Sequence, residues 1–311
     1  MNDSNPKSFL DLSSPIRGTG GLPIGGQGAS LQLVECPRDA MQGWKHFIPT
    51  NKKIEYINVL LQVGFHTLDF GSFVSPKAIP QMADTKEVLK GINVNGSITK
   101  LLAIVANLRG AEEAVTFEEI SFLGFPFSIS PTFQLRNTNS TMEESINRVD
   151  AIQNICIKHG KQLVLYLSMG FGNPYGDVYN EEILLYWAEQ MVKKEITIIS
   201  LADTVGLATP EQISFALQTL IPEYRQTIIG VHLHSTAASW KEKTEAAYQA
   251  GCKRFDGALK GIGGCPMAND ELVGNMNTEW MLDYFVEKSV DLKINQNALQ
   301  RSLQLANEIF V

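Results

Sequence analysis

The sequence predicts a (β/α)₈ barrel, and three observations favour that fold class. Short runs rich in Ile, Leu, Val and Phe alternate with longer amphipathic segments, a pattern typical of parallel strands that are buried on both faces. There are eight such runs, the number that closes a barrel. The chain has 311 residues and a hydrophobic fraction of 44%, which suits one barrel domain with a large core.

The predicted strands follow one another at intervals that leave room for a helix. In chain order they are Leu31–Cys36, Phe65–Phe70, Leu101–Ala106, Glu119–Gly124, Gln162–Met169, Thr197–Leu201, Ile228–His234 and Arg254–Leu259. An open, doubly wound sheet is the alternative, and it would place a glycine-rich phosphate loop after the first strand. Cys36-Pro37-Arg38-Asp39 stands there instead, so the barrel is favoured.

Helices are predicted between the strands from amphipathic spacing and end signals. The clearest are Thr50–Gln62, Arg109–Thr116, Met142–His159, Glu181–Lys194, Pro210–Ile221 and Ala237–Ala250. Ser140-Thr141 precede Glu143-Glu144 in a capping-box pattern, and Thr209 precedes a first-turn proline. Gly64, Gly160 and Gly251 follow helices, where a left-handed cap is favoured.

Composition indicates one folded domain and narrows the classes of partner. Residues 1–30 are rich in Gly, Ser and Pro and predict a flexible N-terminal extension, and residues 31–311 predict the barrel domain. The net charge of −7 disfavours nucleic acid or an anionic membrane as a partner. No run reaches the roughly 18 apolar residues of a membrane span. The four cysteines are widely spaced and no secretory signal is recognisable, so a cytoplasmic location is expected.

Polar residues recur where the predicted strands end, which is the face that carries chemistry in this fold. Asp39 follows the first strand, Asp69 ends the second and Asp203 follows the sixth. His232-Leu233-His234 ends the seventh strand, and Asn275 follows the eighth. Gln42 lies shortly after Asp39 and is a candidate for contact with a substrate. The sequence therefore predicts an active site at this rim.

The histidine pair is the sharpest local signal for a metal. Residues i and i+2 of a strand face the same side, so His232 and His234 can bind one cation, with Asp39 two strands away. Two solvated histidines at a strand end are the alternative interpretation. A carboxylate, two imidazoles and the amide of Asn275 favour Mg²⁺, Mn²⁺ or Co²⁺, and zinc stays open. Such an ion would act as a Lewis acid.

Arg38 and the loop Gly261–Pro266 are the remaining candidates. Arg38 is suited to stabilise a developing enolate, although an arginine on the surface is the plainer interpretation. The loop is either a turn with a buried thiol or a lid that delivers Cys265 for proton transfer. Asp203 and Glu35 are expected to orient Arg38 or the histidines.

Six segments of the chain resemble the hydroxymethylglutaryl-CoA lyase family, which belongs to a metal-dependent barrel group with isopropylmalate and homocitrate synthases and related aldolases. They are VECPRDAMQ (34–42), SFVSPKAIPQMADTKEVLKG (72–91), STMEESINRVDAI (140–152), SLADTVGLATP (200–210), VHLH (231–234) and GIGGCP (261–266). The second and last of these are typical of the lyases within that group. The resemblance runs from about residue 31 to about residue 283.

The resemblance implies a role for each candidate. Asp39, His232, His234 and Asn275 fall on the metal ligands, Arg38 on the catalytic arginine, Cys265 on the loop cysteine and Asp203 on a further active-site acid. It implies Mg²⁺ or Mn²⁺ as cofactor and cleavage of 3-hydroxy-3-methylglutaryl-CoA to acetyl-CoA and acetoacetate. A homodimer is expected by the same resemblance. Basic residues near the rim are candidates for the acyl-CoA partner: Lys45, Lys77 and Arg136.

The chain also departs from the family pattern at several positions around the expected substrate. Asp69 stands where the family has glutamate, Ser235 where it has aspartate, and Gly43 where it has asparagine. The segment Gly170–Tyr175 lacks the usual cysteines. Two alternatives follow: an aldolase or Claisen-type synthase that acts on another hydroxy or 2-oxo acid, or a metal-binding barrel without catalytic activity.

Overall fold

The computed structural model describes residues 30–264 and 273–311. Most of the predicted N-terminal extension, and the loop cysteine Cys265, lie outside the described residues. Among the residues that are described, none of the helices combines the length and apolar character needed to span a bilayer.

The structure is a closed parallel barrel, as the sequence predicts. Its strands are β1 (Gln32–Glu35), β2 (Thr67–Ser72), β3 (Lys100–Ile104), β4 (Ile120–Ser128), β5 (Gln162–Ser168), β6 (Ile198–Ala202), β7 (Ile228–His232) and β9 (Arg254–Gly257). Each pairs with its neighbour in chain order, and β1 pairs with both β2 and β9 to close the ring. Two further short strands, β8 (His234–Ser235) and β10 (Gly274–Asn275), form an antiparallel ribbon outside the barrel.

Helices surround the barrel, and the structure adds several to those that the sequence predicts. They are α1 (Pro37–Gln42), α2 (Thr50–Leu60), α3 (Thr85–Gly91), α4 (Leu108–Ala114), α5 (Pro131–Thr138), α6 (Met142–Lys158), α7 (Glu181–Lys193), α8 (Pro210–Glu223), α9 (Trp240–Gln249), α10 (Thr278–Glu287) and α11 (Gln296–Ile309). The unpredicted α1, α3 and α5 have at most eight residues, too few for a clear amphipathic period. Neither α10 nor α11 was predicted from the sequence.

Local end signals explain where several helices begin and stop. The Thr141 hydroxyl accepts from the backbone N–H of Glu144, and the Glu144 carboxylate accepts from the backbone N–H of Thr141, which confirms the predicted capping box. Thr209 caps α8 in the same way, with Pro210 in its first turn. Gly64, Gly160 and Gly251 all have positive φ, a backbone conformation that residues with a Cβ rarely adopt.

The buried carboxyl group of Glu35 ties the end of β1 to the last part of the barrel. It accepts hydrogen bonds from the Leu259 backbone N–H at 2.8 Å and from the Thr278 hydroxyl at 2.6 Å. The expectation that Glu35 orients Arg38 or the histidines is therefore wrong. The neighbouring Cys36 has its Sγ close to His232 and Asp256, and Glu35 faces the other way because neighbouring positions of a strand face opposite sides of the sheet.

Replacing Glu35 with Gln is expected to change how stability depends on pH. Burial raises the pKa of Glu35 from its ordinary value of 4.5 to about 8. The folded state therefore holds this proton more tightly, and the contribution to stability is complete below about pH 4.5 and is lost as the pH rises through about 8. Urea unfolding should show that the stability of the wild type, relative to Glu35→Gln, falls over this window. A constant or rising difference would contradict the assignment.

Candidate active site

The short helix α1 carries the first candidate residues directly after β1. Pro37 occupies its first turn, where the missing N–H costs nothing because the first N–H groups of a helix are unpaired. Arg38 and Asp39 are both buried in this helix. The chain thus delivers both side chains at the C-terminal end of β1, within a short helix that the sequence did not predict.

Asp39 is the centre of a network of charge-assisted hydrogen bonds. Its Oδ1 accepts from Arg38 Nη1 at 2.8 Å and from Gln42 Nε2 at 2.6 Å, and its Oδ2 accepts from Asn275 Nδ2 at 2.7 Å. Burial favours the neutral acid, but the charge of Arg38 and the nearby histidines hold the pKa of Asp39 below its ordinary value. Asp39 is therefore an anion. The Gln42 amide thus donates a hydrogen bond to Asp39. Contact between Gln42 and a substrate remains a proposal.

The histidine pair reaches Asp39 from two different strands. His232 is the last residue of β7, whereas His234 belongs to β8 and pairs with Asn275 of β10. The prediction of a single strand through both residues is wrong, because the chain leaves the barrel at Leu233 to form the ribbon. One ligand atom from each of Asp39, His232 and His234 nevertheless lies within 4.8 Å of the other two.

The electrostatic surroundings of the two imidazoles differ. Burial, with the neighbouring His232, lowers the pKa of His234 to about 3, so this ring is neutral and has a free lone pair. Burial also opposes a charge on His232, but the hydrogen bond and the charge of Asp256 raise its pKa. Neutral nitrogen together with anionic oxygen is a donor set that divalent cations accept.

Asn275 provides the observation that tests whether these residues fit a cation. Its Nδ2 donates to Asp39 Oδ2 at 2.7 Å and to the carbonyl of Ile262 at 2.9 Å, which fixes the orientation of the amide. Its Oδ1 is buried and has no hydrogen-bond partner among the described residues. Buried polar atoms without partners are costly, and a cation beside Asp39 and the histidines would give this oxygen one. The residues therefore fit a divalent metal.

The described part of the glycine loop packs directly on Asn275. Gly263 has a φ of +108°, and a Cβ at this position would lie 2.4 Å from Asn275 Nδ2. Only glycine permits this approach. The loop therefore helps to orient Asn275, and Cys265 follows two residues later, outside the described residues.

Asp69 clamps the other side of Arg38. The Arg38 guanidinium donates from Nε and Nη2 to Asp69 Oδ2, at 3.0 and 2.5 Å. The side chain of aspartate, shorter than the glutamate expected from the family, thus reaches the arginine in a two-point contact. Burial raises the pKa of Asp69 to about 6, against the opposing charge of Arg38.

Asp203 lies apart from Arg38 and from the histidine rings. Its Oδ2 accepts from Lys243 Nζ at 2.7 Å, and its Oδ1 accepts from the Ala208 backbone N–H at 3.0 Å. Both oxygens of Asp203 thus bind other partners, and the expectation that it orients Arg38 or the histidines stays a prediction; Lys243 Nζ, which it accepts from, also donates to the His234 carbonyl at 2.9 Å. Lys45, Lys77 and Arg136 are all exposed, so the structure does not choose among them as partners of CoA.

Two buried residues beside the site were not predicted. Asp256 of β9 has its Oδ2 3.3 Å from His232 Nδ1, and Lys243 of α9 contacts the backbone of His234. The sequence did contain a signal for Asp256: two charged residues, Arg254 and Asp256, stand in a strand whose residues should be apolar. Asp256 also forms a second group of ligand-type side chains, with Cys36 and His232. Burial raises the pKa of the Cys36 thiol well above its ordinary value, so the group with Asp39 is the better metal site.

Comparison with known proteins identifies the class to which this barrel belongs. Residues 31–306 match the HMGL-like family, and the chain is a member of that family. This confirms the predicted family and, at the level of the family, the prediction of a carbon–carbon lyase.

Individual relatives agree with this assignment. The chain is 31% identical to the mitochondrial hydroxymethylglutaryl-CoA lyase of Rattus norvegicus over 98% of this chain and 92% of the relative. It is 34% identical to a hydroxymethylglutaryl-CoA lyase of Bacillus subtilis over 83% of this chain and 85% of the relative. An HMG-CoA lyase from Acinetobacter baumannii, solved with coenzyme A and 3-methylmalate, superposes with a TM-score of 0.83 at 32% identity, over 90% of this chain and 91% of that one.

Changing Asp39 to Asn is expected to weaken binding of Mn²⁺ by more than about 100-fold, because loss of an outer-shell partner alone costs about 10- to 100-fold. Isothermal titration of the metal-free protein with Mn²⁺ measures the change. The matched control is Asp177→Asn, since Asp177 binds the Thr132 backbone at the same rim and contacts none of the candidate ligands. Equal affinity of the Asp39 variant and the control would rule out Asp39 as a ligand.

Changing Asp256 to Ala is expected to weaken Mn²⁺ binding by about 10- to 100-fold. Asp256 accepts from the Nδ1–H of His232 and so leaves Nε2 of that ring free for a cation. Asp256→Asn keeps an acceptor oxygen and should give an intermediate affinity in the same titration. If the alanine variant is folded and binds Mn²⁺ as tightly as the wild type, Asp256 does not orient His232.

Proposed function

We propose that this protein is a divalent-metal-dependent lyase that cleaves 3-hydroxy-3-methylglutaryl-CoA to acetyl-CoA and acetoacetate. The observation that carries the proposal is the group formed by Asp39, His232 and His234, to which the amide of Asn275 is bonded through Asp39 while its buried Oδ1 has no partner among the described residues. The Arg38 guanidinium also contacts Asp39. The names of the relatives support this substrate, and the relative solved with coenzyme A and 3-methylmalate supports an acyl-CoA ligand. Mg²⁺ or Mn²⁺ is the proposed cofactor.

The metal would be held by Asp39, His232, His234 and Asn275. When bound, it supplies Lewis-acid polarisation of substrate oxygens. The chain itself must keep the two imidazoles neutral, the Asp39 carboxylate ionised and the Asn275 carbonyl directed inward. The charge of Arg38 favours the ionised form of Asp39, and Gly263 packs on the Asn275 amide. The contact of His232 Nδ1 with Asp256 supports the orientation of that ring, with Nε2 left for a cation.

The reaction is a retro-Claisen cleavage. The hydroxyl on C3 loses its proton, the C3–O electrons form the ketone of acetoacetate, and the C2–C3 bond breaks. The electron pair passes to C2 as the enolate of the thioester, and protonation of C2 yields acetyl-CoA. Negative charge therefore develops on the thioester oxygen, where a fixed cation is most effective.

Arg38 is the proposed cation. Its two-point contact with Asp69 and its contact with Asp39 hold the guanidinium in one orientation, so little reorganisation is needed when charge develops. Asp69 acts as the residue that positions Arg38. Cys265 is proposed as the donor of the final proton, and Asp203 as a support of the rim. A homodimer and a cytoplasmic location stay predictions.

An Arg38→Met variant is expected to lower kcat by about 10²- to 10³-fold, the usual cost of removing one group that stabilises an oxyanion. Arg38→Lys should recover only part of the rate, because the ammonium group lacks the two-point contact with Asp69. Formation of acetoacetate from the purified thioester, with Mn²⁺ present, measures both variants.

The same assay separates the proposal from its alternatives. Asp39→Asn serves as the baseline, because it removes the central carboxylate of the site. Wild-type activity no higher than this baseline would refute the lyase. Release of free CoA from acetyl-CoA and a 2-oxo acid would instead indicate a synthase, and metal binding without any turnover would indicate an inactive barrel.

A further inference from the structure

Lys243 is a buried cation beside the active site that the proposed reaction does not use. It lies on α9, is 3% exposed, and its Nζ donates to three oxygens: Asp203 Oδ2 at 2.7 Å, the His234 carbonyl at 2.9 Å and the Gly206 carbonyl at 3.1 Å. An ammonium group has three donors, so each is used. Because all three donors are used, Lys243 holds the three oxygens in a fixed position relative to one another.

The segment after β6 holds His234 by two routes. The backbone of Thr204 forms a hydrogen bond with the His234 ring. The preceding residue, Asp203, is 1% exposed and binds Lys243, which in turn binds the His234 carbonyl. One route fixes the ring of His234 and the other fixes its main chain.

The main chain of His234 also determines where Asn275 lies. His234 and Asn275 are directly paired in the β8–β10 ribbon, and the N–H of Met276 donates to the Leu233 carbonyl at 3.0 Å. The ribbon has only two residues in each strand, so it has few bonds of its own to hold its position. The contact from Lys243 supplies a fixed point for it.

We propose that Lys243, paired with Asp203, is a positioning residue of the metal site that holds His234 and, through the ribbon, Asn275 in place to bind a divalent cation. This inference rests on the proposed metal site. It gives Asp203 the role of anchoring Lys243, beyond contact with any substrate. Positioning within fractions of an ångström matters because metal ligands tolerate small displacements poorly.

The test is the double variant Lys243→Met with Asp203→Asn. Removing both charges avoids an unpaired buried ion, which by itself would destabilise the fold. Binding of Mn²⁺ by calorimetry is expected to weaken by about 10-fold or more. The visible spectrum of bound Co²⁺ should also change, because the coordination around the ion is altered. Thermal unfolding of the metal-free protein reports separately on folding.

The chain offers a control in the ion pair between the buried Lys53 and the partly buried Asp84. Lys53 is 1% exposed, and its Nζ lies 2.7 Å from Asp84 Oδ1, but the pair contacts none of the proposed metal ligands. Lys53→Met with Asp84→Asn should lower thermal stability and leave the affinity for Mn²⁺ and the Co²⁺ spectrum unchanged.

Each outcome decides a different point. If the wild type binds no metal, the proposed metal site is refuted, and with it the role of Lys243. If the folded Lys243 variant binds Mn²⁺ within about twofold of the wild type, the positioning role is overturned. Should the methionine variant not fold, Lys243→Gln with Asp203→Asn is the second test: the glutamine side chain is one atom shorter than lysine and its amide has two donors instead of three, so it cannot hold the His234 carbonyl as Lys243 does, and the affinity should still fall. An unchanged affinity there would also overturn the inference.

Discussion

The buried negative charge of Asp39 is the constraint on which the rest of the site depends. A carboxylate removed from water is costly unless it is paired and hydrogen-bonded. Arg38, Gln42 and Asn275 meet this requirement from three directions. Two of these contacts also place a group that the proposed chemistry uses, since Arg38 is the cation beside the substrate and Asn275 offers a carbonyl oxygen. The contacts that compensate the charge of Asp39 are therefore also the contacts that assemble the site.

The closed barrel makes this compensation possible because it fixes the strand ends relative to one another. β1 pairs with both β2 and β9, and β7 pairs with β9, so Asp39, Asp69 and His232 approach one another on a frame that cannot slide. Sites carried on regular elements are held more accurately than sites on loops. The exceptions are His234 and Asn275, which lie on a short ribbon. That ribbon depends on outside support from Lys243 and the glycine loop.

A layer of buried carboxylate contacts surrounds the residues proposed to touch metal or substrate. Asp69 clamps Arg38, Asp256 faces His232, and Asp203 binds Lys243 behind His234. Each pair holds a side chain or a carbonyl whose position matters for coordination. Aspartate stands at position 69 where the family has glutamate, but its shorter side chain still makes two hydrogen bonds with Arg38. The departure at Ser235 leaves a buried hydroxyl that contacts Met276.

The sequence by itself determined the barrel, its eight strands in order, the capped starts of α6 and α8, and the family. These features are local or periodic: apolar runs, a Thr-to-Glu spacing and glycines with positive φ all act over a few residues. The family resemblance also predicted the roles of Asp39, His232, His234 and Asn275. Only the tertiary structure decided that His234 leaves β7, that Glu35 points away from the site, and that Asp256 and Lys243 stand behind the histidines. Those facts depend on contacts between distant segments, such as the bond between Asp203 and Lys243, which are 40 positions apart in the sequence, and no local pattern encodes such contacts.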